Sequence, residues 1–274
     1  RRDTNMEQTK KNYLLVFDMD FTLVNNSTNT LIRKLLPEDL RYRLLKKQYN
    51  SFSHKIQTFY DNLSEHGFGD SELKDVVQNV PLVDGMERVF ELIKYIKEHK
   101  NEKIQLDFII ISGANIKFVE WMKEKHQIQG IVDHSISYIC NKEETDKKII
   151  IGPYHDHECD DCDPYLCKGT AIKQYTDEKK KEGVVFDKIA FFGDGENDLC
   201  GGLNLNHVES KEDNYFCVRR NHYLYNMIFE NEDSLIKDYE DKFESKVVLW
   251  NDGKCVYDHL VKNVFGEEIL VKDN

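Results

Sequence analysis

The chain has 274 residues, 40% hydrophobic and 11% aromatic, which suits one large domain or a domain with an insert and excludes a disordered chain. Its 50 acidic residues against 38 basic ones give a formal charge of −12, which argues against a broad nucleic-acid or anionic-membrane surface; an anionic substrate would need local positive charge. No run approaches the roughly 18 apolar residues of a membrane span, nothing near the start reads as a signal peptide, and seven cysteines are an odd number, so a cytoplasmic protein with reduced thiols or a metal cluster is expected rather than a disulfide framework.

Residues 1 to 12 are polar and aperiodic and are expected to form a loose tail. The apolar run at 13 to 17 has the character of a strand buried on both faces, and it stops abruptly at Asp18-Met19-Asp20-Phe21-Thr22. Two carboxylates one residue apart at a strand end repel each other unless a cation or a chemical task keeps them there, although such a pair taken alone is equally compatible with a solvated acidic turn. From about 30 to 100 apolar residues recur at helical spacing (Leu31, Leu35, Leu36; Leu40, Leu44, Leu45; Phe52, Ile56, Phe59, Tyr60, Leu63) with no strand pattern between them. This predicts a helical cap over 24–80, directly after the first strand, with 13–23 and 81–274 forming the core domain.

A turn at 81 to 86 leads into a helix over 87–97, and 106–111 forms a second buried strand that ends in Ser112-Gly113 before a helix over 116–126. A hydroxyl and a glycine where strand meets helix make an anion site, although Ser-Gly by itself is more often only a turn. Short strands at 131–140 and 148–151 form a hairpin across the charged turn 141–147. Next come His155 and His157, then Cys159, Cys162 and Cys167: the Cys159/Cys162 spacing is that of zinc ligands, and Cys167, His155 or His157 can complete four, against the plainer reading of free thiols in a loop. Lys168 opens a helix over 169–181. A third strong strand, 186–192, runs into Gly193-Asp194-Gly195-Glu196-Asn197-Asp198. A strand at 214–219, a helix from about 222 to 230, an acidic linker, a strand at 246–250 and a helix at 256–263 complete the chain. Three apolar strands ending in carboxylates, Ser-Gly and carboxylates again would converge on one edge of a parallel sheet.

Asp18-Met-Asp-Phe-Thr22, Ser112-Gly113, Lys168 and Gly193-Asp-Gly-Glu-Asn-Asp198, in this order, resemble the four motifs of the haloacid dehalogenase (HAD) superfamily. Asn26-Ser27, the Cys159/Cys162/Cys167-Lys168 loop, Val218-Arg219-Arg220 and Trp250-Asn-Asp-Gly253 are similar to the PHOSPHO phosphatases, which act on phosphoethanolamine, phosphocholine or pyridoxal phosphate. The resemblance implies an α/β, Rossmann-like parallel sheet (the HAD fold) with a helical cap inserted after the first strand, and a phosphatase acting on a small-molecule phosphomonoester. Asp18 would be the nucleophile and Asp20 the acid and base. Thr22, Ser112, Gly113 and Lys168 would hold the phosphoryl group. One Mg²⁺ would sit on Asp18, the backbone carbonyl of Asp20, and Asp194, with Asp198 orienting a metal-bound water or Lys168.

The acids thought to hold an ammonium group in choline- and ethanolamine-phosphate relatives align with Asn29 and Gly113 here, so a neutral or differently charged leaving group is expected. An acid at Asp20 disfavours dehalogenase and P-type ATPase chemistry and leaves a phosphomutase open. A protein phosphatase and a catalytically idle binding protein of the same fold are the competing readings. Oligomeric state is not legible.

Overall fold

A computed structural model of the chain describes residues 10–99, 103–140, 148–210, 212–231, 234–239, 241–266 and 269. Strands β1 (Lys11–Phe17), β2 (Ile104–Asn115), β3 (His134–Cys140), β4 (Ile151–Gly152), β5 (Lys188–Gly193), β6 (Tyr215–Arg219) and β9 (Lys246–Trp250) form one sheet in the order β4-β3-β2-β1-β5-β6-β9. All neighbours run parallel except β3 and β4. The first strand is therefore central, with β2 on one side and β5 on the other, and the chain reverses direction across the sheet beside it. Open parallel sheets hold their ligands at such a point, outside the carboxyl ends of the strands.

Adjacent residues on a strand point to opposite faces, and the ring contacts show which helices cover each face. Phe108 meets Phe90 of α5 (Met86–His99), and Phe192 meets His259 of α10 (Gly253–His259). The next residue along each strand faces the other way. Asp107 accepts from Tyr175 of α7 (Lys168–Lys181), and Phe191 lies under Gly201 of α8 (Leu199–Asn204). The result is a three-layer α/β/α sandwich whose fully buried Phe17, Phe108, Phe191 and Phe192 each stabilise the fold by about 1.5–3 kcal/mol.

Between β1 and α5 lie α1 (Thr28–Arg33), α2 (Glu38–Lys46), α3 (Phe52–Glu65) and α4 (Asp70–Gln78), with no strand among them. Asp70 and Lys74 of α4 pair with Lys117 and Glu124 of α6 (Ile116–His126), fixing these helices beside the sheet.

Several local expectations need correction. The first strand starts at Lys11, whose N–H bonds to Lys103, so Lys11 and Asn12 are not tail; residues 1–9 lie outside the described residues. The second strand runs on through Ser112 and Gly113 to Asn115, with an irregular register there, because β3 continues to pair with it. The strands expected at 131–140 and 148–151 shorten to β3 and to the two residues of β4; the turn 141–147 between them lies outside the described residues. The acidic linker contains a small antiparallel pair, β7 (Phe229–Asn231) with β8 (Ser234–Leu235), next to a shortened helix α9 (Tyr223–Ile228). Helix α8 was not expected at all: Leu-Cys-Gly-Gly-Leu-Asn has two glycines, and only close packing on Phe191 and Phe216 makes them an advantage.

Candidate active site

The sheet register alone brings the separate motifs together. Phe17 stands opposite Ile110 on β2 and Phe192 on β5, so Asp18, Ser112 and Asp194 all fall within two residues of one line across the strand ends. Asp18, Asp194 and Asp198 are buried, and a carboxylate oxygen from each lies within 4.8 Å of the other two. Lys168, fully buried in the first turn of α7, places Nζ 2.9 Å from Asp18 Oδ1 and 2.6 Å from Asp198 Oδ1. Burial by itself would lower the Lys168 pKa; Asp18 and Asp198 outweigh it and raise it, so the ammonium stays charged.

The three acids are held differently. Asp198, in the turn Glu196–Asp198, accepts Lys168 on Oδ1 and the N–H groups of Asp194 (3.0 Å) and Gly195 (2.9 Å) on Oδ2, so both its oxygens are committed. It sits where a side chain on Gly193 would stand: a methyl group there would lie 2.4 Å from Asp198 Cγ, which is why glycine ends β5. Asp194 accepts the Thr22 hydroxyl on Oδ1 at 3.1 Å and has His222 Nδ1 3.3 Å from Oδ2. Asp18 is the least satisfied. Its Oδ1 is buried within ion-pair distance of Lys168 but outside hydrogen-bonding geometry, so that oxygen has no directional partner among the described residues. Burial pushes the Asp18 carboxyl up, Lys168 opposes this, and Asp198 and Asp194 add repulsion. Three carboxylates against one ammonium leave a deficit of positive charge that a hard divalent cation on Asp18 and Asp194 would cancel, so the residues present fit Mg²⁺.

Asp20 stands apart from this cluster. The loop after β1 turns back through Phe21, at φ +55, and is tied down by the Arg219 guanidinium, which donates to the Phe21 carbonyl and to Asn25 Oδ1 (2.9 Å). The turn aims the Asp20 carboxyl at α1, where it accepts the Thr28 N–H and the Thr28 hydroxyl, both at 2.9 Å. Burial pushes its pKa up to about 6, with Thr28 and Ser27 pulling the other way. A carboxyl with that pKa is populated in both protonation states near neutrality, which suits a group that must give a proton and then take one.

The other singled-out residues take the following places. Thr22 was expected on the phosphoryl group, but its hydroxyl donates to Asp194, the stronger acceptor. Ser112 Oγ accepts the Ala114 N–H, which leaves its own hydrogen free to donate, and Gly113 faces the Asn197 side chain, 3.3 Å from where a Cβ would be. Asn29 is buried and accepts the Tyr60 hydroxyl, which in turn accepts from Asn115; the chain links α1, α3 and the end of β2. Cys159, Cys162 and Cys167 come together with Cys200, a residue no spacing rule pointed to. His155 and His157 do not join them. His155 bonds Gln174 and the Cys167 N–H; His157 bonds the Asp163 carbonyl and the Cys159 N–H.

Sequence reasoning also missed His222 and Arg33, and it marked Arg219 only as part of the Val218-Arg219-Arg220 motif, with no role. Arg33, on the same face of α1 as Asn29 one turn away, is 8% exposed, stacks 4.5 Å over the Phe59 ring and has no hydrogen-bond partner at Nε or carboxylate in ion-pair reach among the described residues. Burial is what sets Arg33 apart, with the Asp20 charge acting on it from beyond ion-pair distance, and only tertiary structure shows that burial.

Comparison with known proteins agrees with this geometry. The family described as "Putative Phosphatase" matches residues 13–264. The chain is 28% identical to the human "Pyridoxal phosphate phosphatase PHOSPHO2", over 95% of this chain and 99% of that protein. It is 28% identical to the "Phosphoethanolamine/phosphocholine phosphatase" of Gallus gallus, over 90% of this chain and 87% of that one. In fold it matches a HAD family hydrolase from Salmonella enterica serovar Typhi with a TM-score of 0.53 at 16% identity, over 86% of this chain and 72% of that one. The chain thus belongs to the "Putative Phosphatase" family and is a phosphomonoester hydrolase, similar in sequence to the PHOSPHO enzymes and in fold to HAD hydrolases.

Proposed function

We propose that the chain is a Mg²⁺-dependent phosphatase that hydrolyses a small-molecule phosphomonoester through an aspartyl phosphate on Asp18. The observation that carries this reading is the junction of Asp18, Lys168, Asp194 and Asp198 at the carboxyl ends of β1 and β5. A carboxylate oxygen of Asp18 attacks phosphorus in line, and the bond to the leaving oxygen breaks as Asp20 gives that oxygen a proton. Asp20, now ionised, takes a proton from a water that attacks the same phosphorus from the opposite side. The acyl phosphate bond breaks, and Asp18 and inorganic phosphate are regenerated. Lys168, the Ser112 hydroxyl and the Gly113 amide face the equatorial oxygens, whose charge grows most on the way to the transition state. Thr22 and His222 hold Asp194, and Asp198 holds Lys168. Mg²⁺, carried by Asp18, Asp194 and the Asp20 backbone carbonyl, would neutralise charge on the phosphoryl group.

The helices of 24–80 act as a cap that selects the leaving group. An ammonium leaving group finds no acid at Asn29 or Gly113, and it would meet the Arg33 guanidinium on the cap face that also carries Thr28 and Asn29. Among the substrates named for the relatives, this favours pyridoxal phosphate, whose leaving alcohol carries a phenolate oxygen, over phosphocholine. The test is a panel of phosphometabolites with Mg²⁺ and with chelator, on wild type and Asp18→Asn. Hydrolysis that needs Mg²⁺ and vanishes in the variant supports the proposal, as does phosphocholine ranking low. Turnover retained by Asp18→Asn would sink the mechanism; no turnover of any ester would favour the idle binding protein, and phosphopeptides ahead of all metabolites the protein phosphatase.

A further inference from the structure

We propose that Cys159, Cys162, Cys167 and Cys200 bind one structural Zn²⁺ in an all-thiolate site that braces the segments carrying Lys168 and Asp198. The four Sγ atoms lie within 4.8 Å of one another, with Cys200 3.8 Å from Cys159 and 3.4 Å from Cys167, and all are free thiols. Tetrahedral zinc with Zn–S near 2.3 Å sets sulfurs about 3.8 Å apart, so the cluster already has the dimensions of that site. Four soft ligands with no open position describe a structural centre, not a catalytic one, and the set excludes the hard cations suited to the neighbouring carboxylates.

Surrounding groups favour the thiolate form. Cys167 is the N-cap of α7, where the Thr170 N–H points at its sulfur at 3.4 Å and the helix dipole favours negative charge. The Asn204 side-chain amide donates to Cys200 Sγ at 3.3 Å. Donors of this kind orient the sulfurs and offset the charge of a tetrathiolate. His155 and His157 spend their ring nitrogens on the loop backbone and on Gln174, and so shape the ligand loop without entering the cluster.

The placement gives the site its purpose. Cys167 immediately precedes Lys168, and Cys200 follows Asp198 by two residues on a different element, so an ion bridging them ties together the backbones that hold the 2.6 Å Lys168–Asp198 pair. The two helices are in close contact there: a methyl group on Gly169 would lie 2.7 Å from the Cys200 carbonyl oxygen. The loop before Cys167 has little apolar burial of its own, and a metal supplies the cross-link that its composition cannot.

The full-length protein, dialysed against metal-free buffer, is to be assayed for metal by mass spectrometry, with zinc K-edge absorption for the ligand set. About one zinc per chain with four sulfur neighbours near 2.3 Å is the expected result. Cys200→Ser and Cys162→Ser should each lose the zinc, while Cys255→Ser, outside the cluster, should keep it. Should the cluster variants fail to fold, titrating wild type with a mercurial in the presence of a zinc-responsive dye gives the same answer, one zinc released as four thiols react. Zinc-free protein with four reactive thiols, iron in place of zinc, or zinc retained by Cys200→Ser would each overturn the assignment. None of these readouts depends on phosphatase turnover, so the metal site and the hydrolytic mechanism stand or fall separately.

Discussion

His259 gives a quantitative test of how tightly the sheet and α10 are packed. The imidazole is buried edge-on between Tyr215 (ring centroids 4.8 Å apart) and Phe192 (6.4 Å), with Nε2 lacking a partner among the described residues and Nδ1 3.0 Å from the Asn263 amide. Burial pushes its pKa down to about 4, so it is neutral in the folded protein over most of the working range. Unfolding restores a pKa near 6.5, and a depressed folded pKa contributes stability that is present above the unfolded value and lost as pH falls through the folded one. Between pH 7.5 and 4.5 the two values translate into a loss of about 2.5 kcal/mol, or roughly 5–10 °C in Tm for a chain of this size. His259→Phe keeps the aromatic volume and removes the titration. Carboxylates contribute to both curves equally, and the lost Asn263 contact gives a pH-independent offset. Urea or thermal unfolding of both proteins across this range should therefore show wild type losing about 2.5 kcal/mol more than the variant. Parallel curves would mean that the imidazole is hydrated or protonated in the folded state and that the packing around it is wrong.

Asp20→Asn removes the proposed proton donor and acceptor but leaves an oxygen for the Thr28 N–H, so kcat on an alkyl phosphate should fall by about 10²–10⁴ with an unchanged melting profile near pH 6; an aryl ester with a good leaving group should lose less in the first step. Gly193→Ala drives a methyl group into Asp198 and should uncouple it from Lys168, costing about 1–3 kcal/mol of stability together with most of the activity, which denaturant titration and turnover measured side by side would reveal. Gly253→Ala puts a Cβ 2.2 Å from the Gly85 carbonyl carbon and the Met86 nitrogen, where α10 meets the start of α5. The clash is with backbone that cannot rotate away, so a Tm loss at least as large as that of Gly193→Ala is expected, with KM little changed in whatever protein folds.

The strand ends that carry the chemistry were legible in the amino-acid sequence. Apolar runs that stop at Asp18, Ser112 and Asp194 mark buried parallel strands, and a buried strand must release its polar residues at its end, so these three positions were legible as candidates before any fold was known. Local periodicity was equally sufficient for the helices between β1 and α5, whose apolar stripes repeat without interruption. Which side chains meet follows only from the tertiary fold. The Thr22 hydroxyl goes to Asp194, Asp20 turns to Thr28, Asn29 is taken up by Tyr60, and Cys200 replaces two histidines beside Cys159, Cys162 and Cys167. These choices depend on the register between strands distant in sequence and on a helix whose two glycines argue against it locally. Pairing across such separations is set by the sum of packing over the whole sheet, which no window of neighbouring residues contains.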